Sequence, residues 1–216
     1  MTGQDRRPFG VFLSLGSWLL LIILNVIFAP SPLVLQVVHQ AILITIGLFC
    51  VRPELLAYPG PKLIKRGVIY GIGLYALNTA LAALTVWLLM RIVDADTIVD
   101  LANEERAALE PFLSENGFLS MFTSVLTLVV GAPLSEELFF RGLILDKLRE
   151  RQSTASALII TALIFAVVHF YLIQFAPVLA AGIVLGVIFI RTENLLVPII
   201  AHAVSNGLAL IAWYLL

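Results

Sequence analysis

Charge is scarce in this chain. Lys, Arg, Asp and Glu make up 12% of its 216 residues, about half the share of a soluble domain. No long polar stretch exists from which a separate soluble domain could be built, so residues 1–216 read as a single integral-membrane domain. The net charge of −1 gives no reason to expect nucleic acid as a partner. Cysteine is reduced to one residue, Cys50. A single thiol rules out an intrachain disulfide and any Cys-based metal site, and at the end of an apolar run it reads as packing.

What the chain has in excess is hydrophobic residues, 61% of the total. They fall into runs of about 20, the length that crosses a bilayer as helix. The fold class is therefore all-α, a polytopic transmembrane helix bundle. Seven spans are expected, over residues 10–28, 33–51, 64–90, 118–145, 155–173, 175–190 and 195–215. Arg6 and Arg7 ahead of an apolar run look like a signal peptide, but the run is too long and no small-x-small site follows it, so an uncleaved first span is expected. "APSP" and "RPELLAYPGPK" supply the first breaks, with prolines that resist helix continuation.

Placing the N-terminus in the cytoplasm puts ten Lys and Arg residues on inside segments and two, Arg91 and Arg106, outside. That agrees with the positive-inside rule and predicts a multi-pass protein of the cell membrane. The outside segment Asp94–Glu115 holds seven of the 14 carboxylates. Ile98, Leu101, Ala102, Ala108, Leu109 and Phe112 recur in it near helical spacing, so an amphipathic outer helix with a solvated acidic face is expected.

Ionisable side chains inside spans are costly and mark function. Here they are His39, Glu136, Glu137, Arg141, His169 and His202, with amides at Asn25, Asn78 and Asn206. Glu137 and Arg141 are four apart, share a helix face and can pair. Glu136 points about 100° away and is left free. Pro133 just upstream is expected to kink or restart the helix before the glutamates. Glu136 and His169 each lie about 14 residues from the turn between their spans, roughly 21 Å, so they are level in an antiparallel hairpin. His202 and Asn206 share a face of the last span. His39, Asn25 and Asn78 read as bonds between helices, and Gly67/Gly71 and Gly182/Gly186 as close helix packing.

A carboxylate with an imidazole can activate water for attack on a carbonyl, and an imidazole with an amide can hold the resulting oxyanion. Glu136 and His169 fit the first pair, His202 and Asn206 the second. The set Glu136, His169 and His202 is equally suited to Zn²⁺, which would lower the pKa of a bound water.

Three motifs carry a family resemblance. "EELFFR" (Glu136–Arg141), "FAVVH" (Phe165–His169) and "HAVSN" (His202–Asn206) resemble, in order, the EExxxR, FxxxH and HxxxN motifs of the CAAX prenyl protease and bacteriocin-processing (Abi) family of intramembrane proteases. The resemblance covers residues 118–210 and implies a glutamate-dependent intramembrane endopeptidase. Glu136 and His169 would be catalytic through water, His202 and Asn206 through the oxyanion, with Glu137, Arg141 and Phe165 in support. It implies no cofactor in one description of the family and zinc in another. Implied partners are membrane lipids and a peptide or protein substrate, membrane-anchored or lipidated. Because the family also holds members tied to bacteriocin immunity, a non-proteolytic immunity or scaffold protein is an alternative. A proton-coupled transporter is a further one, disfavoured because no inverted repeat is apparent.

Overall fold

The computed structural model describes residues 5–107, 109–113 and 117–215, and among them all regular structure is helical. Ala108 and Glu115 of the expected outer segment lie outside the described residues. Eight main helices follow one another: α1 (Arg7–Phe28), α2 (Pro32–Cys50), α3 (Pro61–Leu89), α4 (Ala95–Ala107), α5 (Phe118–Leu148), α6 (Thr154–Val167), α7 (Phe175–Thr192) and α8 (Leu196–Leu215).

Their ends are chemically specified. Ser31 accepts the Val34 N–H and Ser153 the Ser156 N–H, each capping the helix that follows. Pro32 and Pro61 stand at first helical positions, where a missing N–H costs nothing. Ala29 and Glu193 leave α1 and α7 in the left-handed conformation, with φ of 43° and 46°.

Polar contacts sort the ends into two groups. At one end Asp146 of α5, itself buried, accepts from Arg7 at 2.6 Å and from Arg52 at 2.7 and 2.8 Å, while Arg149 meets Glu193 at 2.7 Å. Asn194 donates to the Ala57 carbonyl at the same end. At the other end the Arg106 guanidinium covers the Trp213 ring at 4.2 Å, and Ser124 lies 3.4 Å from the Tyr214 hydroxyl. The helices other than α4 therefore alternate in direction through the bundle.

α5 is the central element. Leu138, Leu143 and Leu145 on it are fully enclosed, packed with Phe140, Phe165, Phe189 and Leu195, whereas α1 exposes Phe9, Phe12, Leu19 and Ile22 as a lipid-facing helix does. The glycine pairs pack as expected. Gly67 and Gly71 of α3 sit on the backbone of α8 at Val197 and Ala201, and Gly182 of α7 sits on Ala162 of α6.

Six of these helices are long and apolar enough to cross a membrane. The fifth expected span, 155–173, differs: α6 ends at Val167, and its 14 residues make only about 21 Å of helix. The last turn tightens through Val167–Phe170 and Ala166–His169 backbone bonds, and Phe170 then takes φ of 56°, which a helix cannot continue. His169 thus sits in a turn rather than in mid-helix. The N–H groups freed there have a partner: Glu105 of α4 accepts from Leu172 and Ile173 at 2.6 Å and from Gln174 at 3.2 Å, at the entry to α7.

The break expected at Pro133 takes the form of a change of helical register. α5 is π-helical over Val125–Gly131, α-helical over Ala132–Glu136, and π-helical again over Glu137–Leu145. The Ala132 N–H reaches back five residues to the Thr127 carbonyl. In that pattern Pro133 would bond to Leu128, but it has no N–H to give. The Asn206 side-chain amide of α8 donates to the Leu128 carbonyl instead, at 2.9 Å.

Candidate active site

The two adjacent glutamates have different surroundings. Glu137 is completely buried, and its Oε1 accepts from Arg141 Nη1 at 2.8 Å and from His202 Nδ1 at 2.9 Å. Arg141, also buried, donates from Nη2 to the Gly182 carbonyl at 3.0 Å and lies over the Phe165 ring at 4.7 Å. Each charge thereby meets its opposite, which keeps the ion pair in an apolar interior, while Glu137 Oε2 and Arg141 Nε stay without a hydrogen-bond partner among the described residues. The predicted i,i+4 pair is present. It also holds His202, a role that spacing alone does not reveal.

Glu136 faces the other way. Its Oε2 lies 3.9 Å from His169 Nε2 and 4.0 Å from His202 Nε2, and it is buried without a hydrogen-bond partner among the described residues. The three motifs thus converge: α5 brings the carboxylate, the turn after α6 one imidazole and α8 the other. Phe165 sits between them, its ring centroid 4.6 Å from that of His169 and 6.4 Å from that of His202.

The far nitrogens of both rings fix the chemistry of the near ones. His169 Nδ1 is 2.6 Å from the Phe165 carbonyl oxygen, which can only accept, so Nδ1 carries the proton. His202 Nδ1 bonds the Glu137 carboxylate and is protonated for the same reason. Neutral imidazoles then turn Nε2 lone pairs toward Glu136, and three acceptors face one another. Atoms 3.9–4.0 Å apart can both lie about 2.8 Å from one water oxygen, and a protonated His202 would become a donor at Nε2.

Zinc fits this arrangement poorly. Zn–N and Zn–O bonds of about 2.0–2.1 Å at tetrahedral angles separate ligand atoms by about 3.3 Å, less than the 3.9 and 4.0 Å found. Among the described residues no three His, Cys, Asp or Glu side chains form a metal-holding group.

Asn206 lies one turn beyond His202, and one of its amide N–H groups is spent on Leu128. His39 stands apart from this centre: Trp18 of α1 donates to its Nε2, the interhelical bond expected of it. A cavity of about 220 Å³ borders the site, lined by His169, Phe170, Tyr171 and Leu172 and roofed by Leu101, Glu104 and Glu105 of α4. Two contributors escape a reading confined to asparagines and to charges inside the spans. Gln40 of α2, a polar residue in the apolar run "VVHQAILI", donates to the Thr127 carbonyl at 2.9 Å. Glu105 is one of seven acids in its segment, and nothing in the sequence distinguishes it.

Fold and site together define a polytopic α-helical membrane protein with a carboxylate–imidazole centre enclosed by its helices. Residues 118–208 match the family described as type II CAAX prenyl endopeptidase Rce1-like, and every residue of this centre falls within the match. The resemblance borne by the three motifs therefore holds for this segment. Two curated relatives align as well. One, named "Uncharacterized 24.3 kDa protein", from Escherichia coli, is 31% identical over 47% of this chain and 51% of its own length. The other, named "Putative membrane peptidase YdiL", from Bacillus subtilis (strain 168), is 32% identical over 40% of this chain and 35% of its own length. The chain thus spans about half the length of the first relative and about a third of the second. No solved structure matches it.

Proposed function

We propose that the protein is an intramembrane endopeptidase of CAAX type that hydrolyses a peptide bond with a water held by Glu136 and His169. The observation that carries this reading is Glu136 Oε2 itself, buried and unpartnered between two imidazole Nε2 atoms at 3.9 and 4.0 Å. His169 accepts a hydrogen bond from one O–H of the water and so orients it. Glu136 takes the other proton as the oxygen attacks the substrate carbonyl, then returns it to the leaving amine, so the cleaved bond ends as a carboxylic acid and a free amine. His202, protonated and anchored through Nδ1 to Glu137, donates from Nε2 to the tetrahedral oxyanion. The amide N–H of Asn206 not used by Leu128 adds a second donor. Arg141 and Phe165 keep Glu137 and the rings in place. No step requires a metal.

The family description supports a membrane-anchored or prenylated peptide as substrate, with the machinery in the matched residues 118–208. The clustering of Arg7, Arg52, Lys147 and Arg149 at the N-terminal end of the bundle supports a cytoplasmic N-terminus in the cell membrane. Purified protein and its Glu136→Gln variant, reconstituted in liposomes, are to be compared on an internally quenched, farnesylated CAAX peptide. The variant is expected to insert and fold normally and to lose at least 10³-fold in kcat, on the order of magnitude of a lost general base with its bound water. Full activity of Glu136→Gln would refute the assignment, and no cleavage by the parent chain would refute the substrate class.

A further inference from the structure

Glu136 and Glu137 are neighbours in sequence, and only one of them meets both imidazoles through a free oxygen. The selection is made upstream, in the π-helical stretch Val125–Gly131. Each residue inserted into an α-helix turns everything after it by about 100°. That is the angle separating Glu136 from Glu137. If the stretch relaxed to α-helical register, the Glu136 carboxylate would swing off the imidazole pair by one residue's rotation. Residues whose backbone is held in this register therefore determine which carboxylate is presented.

Two side chains from other helices hold it. Asn206 of α8 occupies the Leu128 carbonyl that Pro133 leaves without a donor. Gln40 of α2, 5% exposed, donates from Nε2 to the Thr127 carbonyl, the same oxygen that receives the five-residue bond from Ala132. Gly131 makes room for it: a Cβ there would overlap the Gln40 amide oxygen. The amide thus sits against the backbone directly ahead of Pro133, and among the described residues it is the one hydrogen bond from an α2 side chain to the α5 backbone.

We infer that Gln40 is a positioning residue: by holding the Thr127 carbonyl it fixes the π-helical register that turns Glu136, and not Glu137, toward His169 and His202. The inference rests on the hydrolytic reading only for its effect on rate. Its structural core, that Gln40 sets the Glu136–imidazole contact, stands without it.

Gln40→Met retains length and apolar volume but has no donor, so a packing role alone would leave it like the parent. Gln40→Glu retains shape and regains a donor only when the introduced carboxyl is protonated. The first readout needs no substrate: the His169 imidazole resonance, recorded by NMR of ¹³C-His-labelled protein in micelles, in the parent chain and in Glu136→Gln, Gln40→Met and Gln40→Glu at matched pH. The Gln40→Met resonance is expected to move to the Glu136→Gln position. Gln40→Glu is expected to follow the parent at acid pH and Gln40→Met at alkaline pH. On the farnesylated peptide, Gln40→Met should lower kcat by about 10³-fold, the loss expected of Glu136→Gln, with KM within twofold of the parent.

A parent-like His169 resonance in Gln40→Met overturns the inference, as does a parent-like kcat where the parent cleaves through Glu136. If Glu136→Gln itself leaves the His169 resonance unmoved, the Glu136–His169 contact is wrong, and the inference falls with it. If Glu136→Gln moves the resonance yet cleaves normally, the hydrolytic reading alone falls, and Gln40 is judged by the resonance. Should Gln40→Met not fold, Gln40→Glu decides: the absence of any pH-dependent difference from the parent overturns the proposal.

Discussion

Arg141→Met isolates the buried ion pair on which the site is mounted. In the native protein the guanidinium satisfies Glu137, 0% exposed, at 2.8 Å and the Gly182 carbonyl at 3.0 Å while covering Phe165 at 4.7 Å. Methionine of similar length fills the space but leaves a carboxylate in a dry interior with His202 as its one remaining partner. Removing one member of a buried pair costs about 3–5 kcal/mol, because the desolvated survivor has no compensation. The lost bond to Gly182 and the lost ring contact fall within that figure, since the terms overlap. Glu137→Gln reverses the situation, leaving the guanidinium uncompensated at a similar cost. The double variant Arg141→Met/Glu137→Gln removes both charges and should recover most of the loss, to within about 2 kcal/mol of the parent. Reversible unfolding in bicelles, titrated with SDS and followed by far-ultraviolet circular dichroism, measures all four proteins. An Arg141→Met loss below about 1 kcal/mol would refute the reasoning. So would a double variant as weak as the two single losses added together, because the charges would then not be coupled.

Glu105→Ala removes the acceptor shared by the Leu172, Ile173 and Gln174 amides. Amide hydrogen exchange at those positions should quicken at least tenfold while exchange in α5 stays as it was; unchanged exchange would show that α4 does not hold this turn. Gly71→Ala places a methyl group 2.5 Å from the Ala201 carbonyl of α8. It should cost about 1–3 kcal/mol by overpacking, read in the same bicelle titration, and a neutral result would separate α3 from α8. At the N-terminal end, bonds from Lys147 and Arg7 hold the Glu150 carboxyl below its ordinary value, and bonds from Arg7 and then Lys147 do the same for Asp5. A carboxylate depressed in the folded state contributes stability that is complete above its unfolded pKa and disappears as pH falls through the folded one. Protease nicking ahead of α1 should therefore stay flat from pH 7 down to the ordinary carboxylate range and rise only below it. A rise that begins near neutrality would contradict the clasp.

The parts of this molecule legible in its sequence are those set by one-dimensional spacing. Apolar runs and their proline breaks located the membrane helices, because a bilayer imposes a length on them. The i,i+4 interval found Glu137–Arg141, and equal distances from a turn levelled Glu136 with His169. Where a helix ended for tertiary reasons the spacing misled. Residues 155–173 look like one span, yet α6 stops at Val167 because Glu105, 67 residues earlier than Leu172, supplies the acceptor that lets the chain turn. No local pattern encodes a partner that distant. The Glu137–His202 bond is hidden for the same reason.

Helical register was hidden more deeply. On an α-helix of constant pitch, the Glu137–Arg141 interval leaves Glu136 as the free carboxylate, but nothing in that geometry says that it faces the neighbouring helices. The π-helical stretches on both sides of Ala132–Glu136 set that rotation, and in the first of them the carbonyls at 127 and 128 accept from side chains of other helices. Pro133 is the sequence's visible part of this device: it removes an N–H and so creates a need. Gln40 and Asn206 meet the need from α2 and α8. The orientation of the proposed catalytic carboxylate is therefore a property of three helices, and the doubled glutamate gains two distinct roles only because all three are in place.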